Sequence, residues 1–183
     1  MFDRWFKGAG EAQTSACRIV MSLPPAWADQ AASHAGGIER TAPVLAELFA
    51  SAKRSLKIFA PYVDPTFTGL VAAVRAPVRI VTTPSPGRPP RPSPVLERCS
   101  TTCDLSVRYL NERRDRALLF QMHAKMILAD GERAYVGSAN LTDTSVHYNL
   151  ELGLFIEDRE AVATLERVFD FFFERAGVRA NQL

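Results

Sequence analysis

Apolar positions along this 183-residue chain follow two alternating rhythms. After Thr41, residues Val44, Leu45, Leu48, Phe49 and Ala52 recur at the spacing of one helix face. Thr41 is placed to N-cap that helix, with Pro43 in its first turn. SLKIFAPYV then reads as a strand, FTGLVAAVR as a short helix and VRIVTT as a second strand. Further on, DLSVRYL predicts a third strand, LLFQMHAKMILAD a fourth, AYVGSAN a fifth and NLELGLFIED a sixth. The last element is REAVATLERVFDFFFERAG, a helix whose Val162, Leu165, Val168, Phe169, Phe172 and Phe173 make one apolar face. Gly177 is its expected C-cap. Strands alternating with helices predict an α/β fold, a mixed β-sheet flanked by helices.

Two segments escape these rhythms. Residues 1–40 read as an N-terminal extension of unassigned role. Within them, CRIVMSLPPAWADQ allows a short apolar element stopped by Pro24-Pro25, then a short helix, and SHAGG is a linker. Residues 84–94, PSPGRPPRPSP, hold six of the twelve prolines and form a stiff basic loop that cannot be regular structure. A loop placed directly after a strand can border a binding site.

Composition adds exclusions. Hydrophobic residues at 47% and charged residues at 23% belong to an ordinary globular domain. Cys17, Cys99 and Cys103 form no CxxC pair, against a disulfide framework and a zinc knuckle, so a reducing cytoplasm is the default location. No apolar run reaches membrane-spanning length, and the N-terminus is not read as a signal peptide. From Ser51 to Arg98 eight Lys or Arg face Asp64 and Glu97, whereas Leu141 onward carries eight acids and four arginines. That asymmetry suits an anionic ligand at one face, although on charge alone a set of solvated faces is the favoured reading.

The chemistry lies in QMHAKMILADGERAYVGSANLT, residues 121–142, an apolar hairpin interrupted by His123, Lys125, Asp130, Ser138 and Asn140. Each polar side chain costs free energy if buried without a partner. Asp130-Gly131 or Gly131-Glu132 suits a two-residue turn. Either turn makes paired positions sum to an odd number, so His123 faces Ser138 or Asn140 and these residues, with Lys125, share one face. A three-residue turn would reverse the faces. Asp130 falls at the turn, away from the cluster, as a structural residue. Gly137 permits close backbone approach. Asn149 and Glu151 add a further pair at spacing two. Singly, each of these residues has an ordinary structural explanation. Together they make a donor-rich, positive pocket of the kind a phosphate fills, with a histidine able to act as nucleophile.

His123-x-Lys125-x4-Asp130-x6-Gly137-Ser138-x-Asn140, continued by Asn149 and Glu151, resembles the phospholipase D superfamily, especially its nuclease-type members. The resemblance covers roughly residues 41–176 and implies a phospholipase D-like catalytic domain over 41–183. It implies a metal-independent phosphodiesterase, without cofactor, that forms a phosphohistidine. His123 would be nucleophile or general acid. Lys125 and Asn140 would bind phosphoryl oxygens, Ser138 would assist and Glu151 would orient a histidine, while Asp130 and Gly137 keep structural roles. Asn149, Arg88 and Arg91 are candidate substrate contacts. The family builds one active site from two motifs, and this chain has a single His-x-Lys, so a homodimer through the active-site face is expected. The expected partner is nucleic acid, DNA ahead of RNA, with no stable membrane association. SLPPAW and NLELG are also similar to the phospholipase D-like component of DISARM-type phage-defence systems, which would add other defence proteins as partners. The alternatives are a phospholipid-headgroup phosphodiesterase and a non-catalytic nucleic-acid-binding or assembly subunit of a defence complex.

Overall fold

The computed structural model describes residues 16–84, 94–99, 103–114 and 117–177. Its strands are β1 (Cys17–Ser22), β2 (Ile38–Arg40), β3 (Leu56–Phe59), β4 (Val78–Thr82), β5 (Leu105–Tyr109), β6 (Asn111–Arg114), β7 (Ala117–Gln121), β8 (Met126–Ala129), β9 (Arg133–Gly137) and β10 (Glu151–Ile156). Its helices are α1 (Pro25–Ala35), α2 (Thr41–Ser51), α3 (Pro65–Ala73), α4 (Pro94–Cys99), α5 (Asp143–His147) and α6 (Arg159–Arg175). Eight strands form one mixed sheet in the order β2-β1-β10-β9-β8-β3-β4-β5, and β6 pairs with β7 separately. β3, β4 and β5 are parallel, while the pairs from β3 across to β1 are antiparallel.

Alternation along the strands sends side chains into two cores. Leu56, Ile58, Ile127, Tyr135 and Phe155 pack with α2, α3, α4 and α5 on one face. Phe59, Val81, Met126, Leu128 and Ala134 pack under Val162 and Phe169 of α6 on the other. Because both faces are covered, β3 and β8 are buried along their whole length. Lys57 sits on the α6 side, and its Nζ meets Asp170 at 2.8 Å and Glu166 at 2.9 Å, which fastens α6 across the sheet. A buried ammonium is tolerated there because both partners are in place.

Several expectations change. β1 and β2 lie within the span set apart as an extension, yet both belong to the main sheet, with β1 against β10. A six-residue strand that pairs with the far end of the chain gives almost no local signal. Thr41 does not cap α2. β2 runs directly into the helix, Arg40 holds the cap position without a side-chain bond, and Thr41 is buried as the first helical residue. Nor does Gly177 cap α6; Ala176 does, and Gly177 exchanges backbone hydrogen bonds with Tyr109. The predicted fourth strand is two elements, β7 and β8, separated by Met122–Lys125. The helices α4 and α5 and the strand β6 that pairs with β7 had no counterpart in the pattern. The proline-rich loop, including Arg88 and Arg91, lies almost entirely outside the described residues.

Candidate active site

Antiparallel pairing brings the end of β3, the start of β8, the end of β9 and the start of β10 to one edge of the sheet. Phe59 pairs with Met126, Met126 with Val136, and Gly137 with Gly153. A pocket of about 650 Å³ opens there, lined by His123, Lys125, Ser138, Asn140 and Glu151, with Phe59, Val136, Leu165 and Val168 among its apolar walls. The five residues named from the motif therefore converge.

The route to that convergence differs from the parity argument. Ile127 pairs with Tyr135 and Ala129 with Arg133, an even register, because Glu132 follows the Asp130-Gly131 turn as an extra residue. Asp130 and Gly131 take φ of 61° and 68°, and Glu132 N–H donates to Ala129 O at 3.0 Å. In an unbroken ladder this register would place Lys125 and Ser138 on opposite faces. They meet because the chain leaves strand geometry at both places. Residues 122–125 precede β8, and Ser138 follows the last residue of β9.

Lys125 is 8% exposed, and its Nζ donates to His123 O at 2.8 Å. The same Nζ lies 2.9 Å from His123 Nδ1 and 3.2 Å from Nε2. An ammonium only donates, so the ring nitrogen taking this bond presents a lone pair. Burial lowers the Lys125 pKa, opposed by the charge of Glu151. Ser138 Oγ donates to Glu151 Oε2 at 2.5 Å and accepts from Leu152 N–H at 3.1 Å, so its hydroxyl is oriented on both sides. Asn149 Nδ2 donates to Glu151 Oε1 at 3.1 Å. Both Glu151 oxygens are thus engaged within the chain, by Ser138 and Asn149. Asn140 Oδ1 is buried with no hydrogen-bond partner, a costly state unless something else meets it.

Asp130 stands apart from the pocket. Its carboxylate accepts from the backbone N–H of Lys53, Arg54 and Ser55 at 2.7–3.1 Å, tying the turn to the α2–β3 connection. Burial pushes its pKa up, but the three amides and the Arg54 guanidinium outweigh that and hold it below the usual carboxylate range. Gly137 makes room for a side chain rather than for the backbone alone. A methyl there would press into the Tyr135 hydroxyl and stand 2.8 Å from Leu152 O. Gly153, directly opposite, faces the same ring, with a methyl placed 2.5 Å from Tyr135 Cε2. Tyr135 is 1% exposed, and burial drives its phenol up to about 12.

Among the described residues, the basic segment does not gather at the pocket. Lys57 and Arg79 face Asp170, Arg54 pairs with Glu132, and Lys53 and Arg75 line a separate groove between α2 and α3. Among the described residues, no group of three His, Cys, Asp or Glu could hold a metal ion, and no helix is long and apolar enough to cross a membrane.

Residues 45–172 match the family described as "Cardiolipin synthase, PLD-like domain". The chain belongs to the phospholipase D-like family. Its fold is also that of solved family-type structures. NucT from Helicobacter pylori is similar at a TM-score of 0.66 and 15% identity, over 88% of this chain and 98% of that one. Nuc from Salmonella typhimurium, a phospholipase D family member, is similar at 0.63 and 14% identity, over 87% and 96%. A probable cardiolipin synthase of Bacillus subtilis, YwiE, is 43% identical over 49 residues, which is 27% of this chain and 10% of that protein. This phospholipase D-like chain thus spans about a tenth of that curated relative's length.

Proposed function

We propose that this phospholipase D-like protein is a phosphodiesterase of nuclease type that works through a phosphohistidine at a site shared by two copies of the chain. The observation that carries the reading is the meeting of the exposed His123 imidazole and the buried Lys125, Nδ1 to Nζ at 2.9 Å, at the wall of an open pocket. Lys125 Nζ and the Asn140 amide would meet the non-bridging oxygens of a phosphodiester, where charge stabilisation and positioning do most of the work. His123 attacks phosphorus. The P–N bond forms as the P–O bond to the leaving group breaks, and the departing oxygen takes a proton from His123 of the partner subunit. That second imidazole then removes a proton from water as the water attacks phosphorus, which forms P–O, breaks P–N and returns free histidine. Ser138, fixed by Glu151 and Leu152, borders the phosphate position.

Support for the second copy comes from the surface beside the pocket. Ile19 pairs with Leu154 and Met21 with Leu152 on the same side of the sheet as α6. Ile19, Leu152, Leu154 and Val168 are 43–53% exposed. Four neighbouring aliphatic side chains in water are what a two-fold contact would bury. Two features support nucleic acid as substrate: the pocket is open, and His123 and Ser138 are exposed at its rim, so a long chain could lie across it. A second reading, a phospholipid-headgroup phosphodiesterase, is favoured by the same exposed leucines and by the family description.

The test is hydrolysis of bis-p-nitrophenyl phosphate, single- and double-stranded DNA, RNA and phosphatidylglycerol vesicles in EDTA, by wild type and His123→Ala. Nucleic-acid cleavage abolished by the substitution is expected. Cleavage of vesicle lipid alone would move the assignment to phospholipid, and undiminished cleavage by His123→Ala would remove the mechanism.

A further inference from the structure

Asp64 lies 79 residues before Asp143 in sequence, yet the two are bonded. Asp64 Oδ1 accepts from Thr66 N–H at 2.9 Å and caps α3. Oδ2 accepts from Asp143 N–H at 2.6 Å, at the first residue of α5. Asp64 N–H donates to Leu141 O at 3.0 Å, and Val63 bridges Leu141. One residue therefore holds both ends of Leu141–Asp143, the segment that directly follows Asn140. Ala139 and Leu141, on either side of Asn140, are each 3% exposed. The loop is thus pegged into the core at its flanks and tied down at its exit, and Asn140 has little freedom left between them.

We propose that Asp64 is a positioning residue that sets Asn140 against the phosphate position by fastening the Leu141–Asp143 segment. The proposal rests on the functional reading above only for its effect on turnover. An aspartate suits the task because two acceptor oxygens serve two amide donors at once. Asp64→Asn keeps one acceptor oxygen and replaces the other with a donor; the local turn to Thr66 N–H retains the oxygen, so the amide nitrogen is left facing Asp143 N–H and that tie is lost. In a site where displacement of about 1 Å costs up to about a hundredfold, loss of this tie is expected to lower kcat by about tenfold with little change in KM.

The experiment is a double-mutant cycle of Asp64→Asn and Asn140→Ala on phosphodiester hydrolysis, with amide hydrogen exchange on the same four proteins. If Asp64 acts through Asn140, Asp64→Asn costs about tenfold in the wild-type background and less than twofold in Asn140→Ala. The Asp143 amide, protected in wild type, should exchange at least tenfold faster in Asp64→Asn. Equal losses in both backgrounds would make Asp64 a general stability residue, and unchanged exchange at Asp143 would remove the clamp itself. His123→Ala serves as the separate control. If it stays active, the mechanism fails, and the exchange result alone still decides the clamp.

Discussion

Asp130 belongs to the motif that marks the candidate active site, yet its carboxylate faces the α2–β3 connection. Replacing it with alanine should therefore damage the fold and spare the chemistry. Three amide donors lose a charged acceptor. Those of the exposed Lys53 and Arg54 regain water, at about 0.5 kcal/mol each, whereas the half-buried Ser55 amide gives up a charge-assisted bond of about 1.5–3 kcal/mol. Alanine at a φ of 61° adds about 1 kcal/mol of left-handed strain. Allowing for partial relaxation, the loss is about 2–4 kcal/mol, which for a domain of this size lowers Tm by about 5–15 °C. Asp130→Gly should recover the strain component alone, and Asp130→Asn should tolerate the φ and keep one acceptor. The assay is thermal unfolding alongside kcat per folded molecule. The pH dependence has a defined sign. A carboxylate with a folded pKa below its unfolded value stabilises above the unfolded value near 4, and that stability drains away as pH falls through the folded pKa. In Asp130→Ala this acid-side loss should disappear. An Asp130→Ala protein with unchanged Tm and abolished turnover would refute the reasoning.

Other outcomes follow from the same geometry. The lowered Lys125 pKa implies that kcat/KM falls with rising pH before an ordinary lysine would titrate; Lys125→Arg should be at least a hundredfold slower and lack that limb, and a limb it retained would belong to another group. Leu152→Glu with Leu154→Glu should give a folded monomer in light scattering with activity lost at least a hundredfold, and a dimer surviving both changes would move the interface elsewhere. Gly153→Ala should cost about 1–3 kcal/mol in denaturant unfolding by overpacking against Tyr135, and a neutral result would mean the ring moves freely.

Local pattern was enough for the α/β class, for α2, α3 and α6, and for the membership of the pocket. Helical spacing and alternation are short-range properties, and the motif residues lie within about twenty positions of one another, apart from Asn149 and Glu151. Three things were not readable, each for its own reason. The hairpin register turned on one extra residue, Glu132, which composition cannot distinguish from the strand that follows. The interruption at Met122–Lys125 hides inside a continuous apolar run, although it is what frees His123 from the ladder. The place of β1 beside β10, and the bond from Asp64 to Asp143, join residues far apart in the chain, so no local window contains both partners. The correct convergence of His123, Lys125 and Ser138 was reached in the sequence from a register the protein does not use.

Tyr135 lies where two opposed glycines, Gly137 and Gly153, leave a space that only their missing side chains could fill. The three positions then form a historical lock. A side chain larger than hydrogen at either glycine overpacks against the ring while it is present, and a smaller residue at 135 leaves a void under the β8–β9 hairpin. A first change at any of the three positions passes through a less stable protein, so a lineage that has acquired this trio has few cost-free single steps away from it.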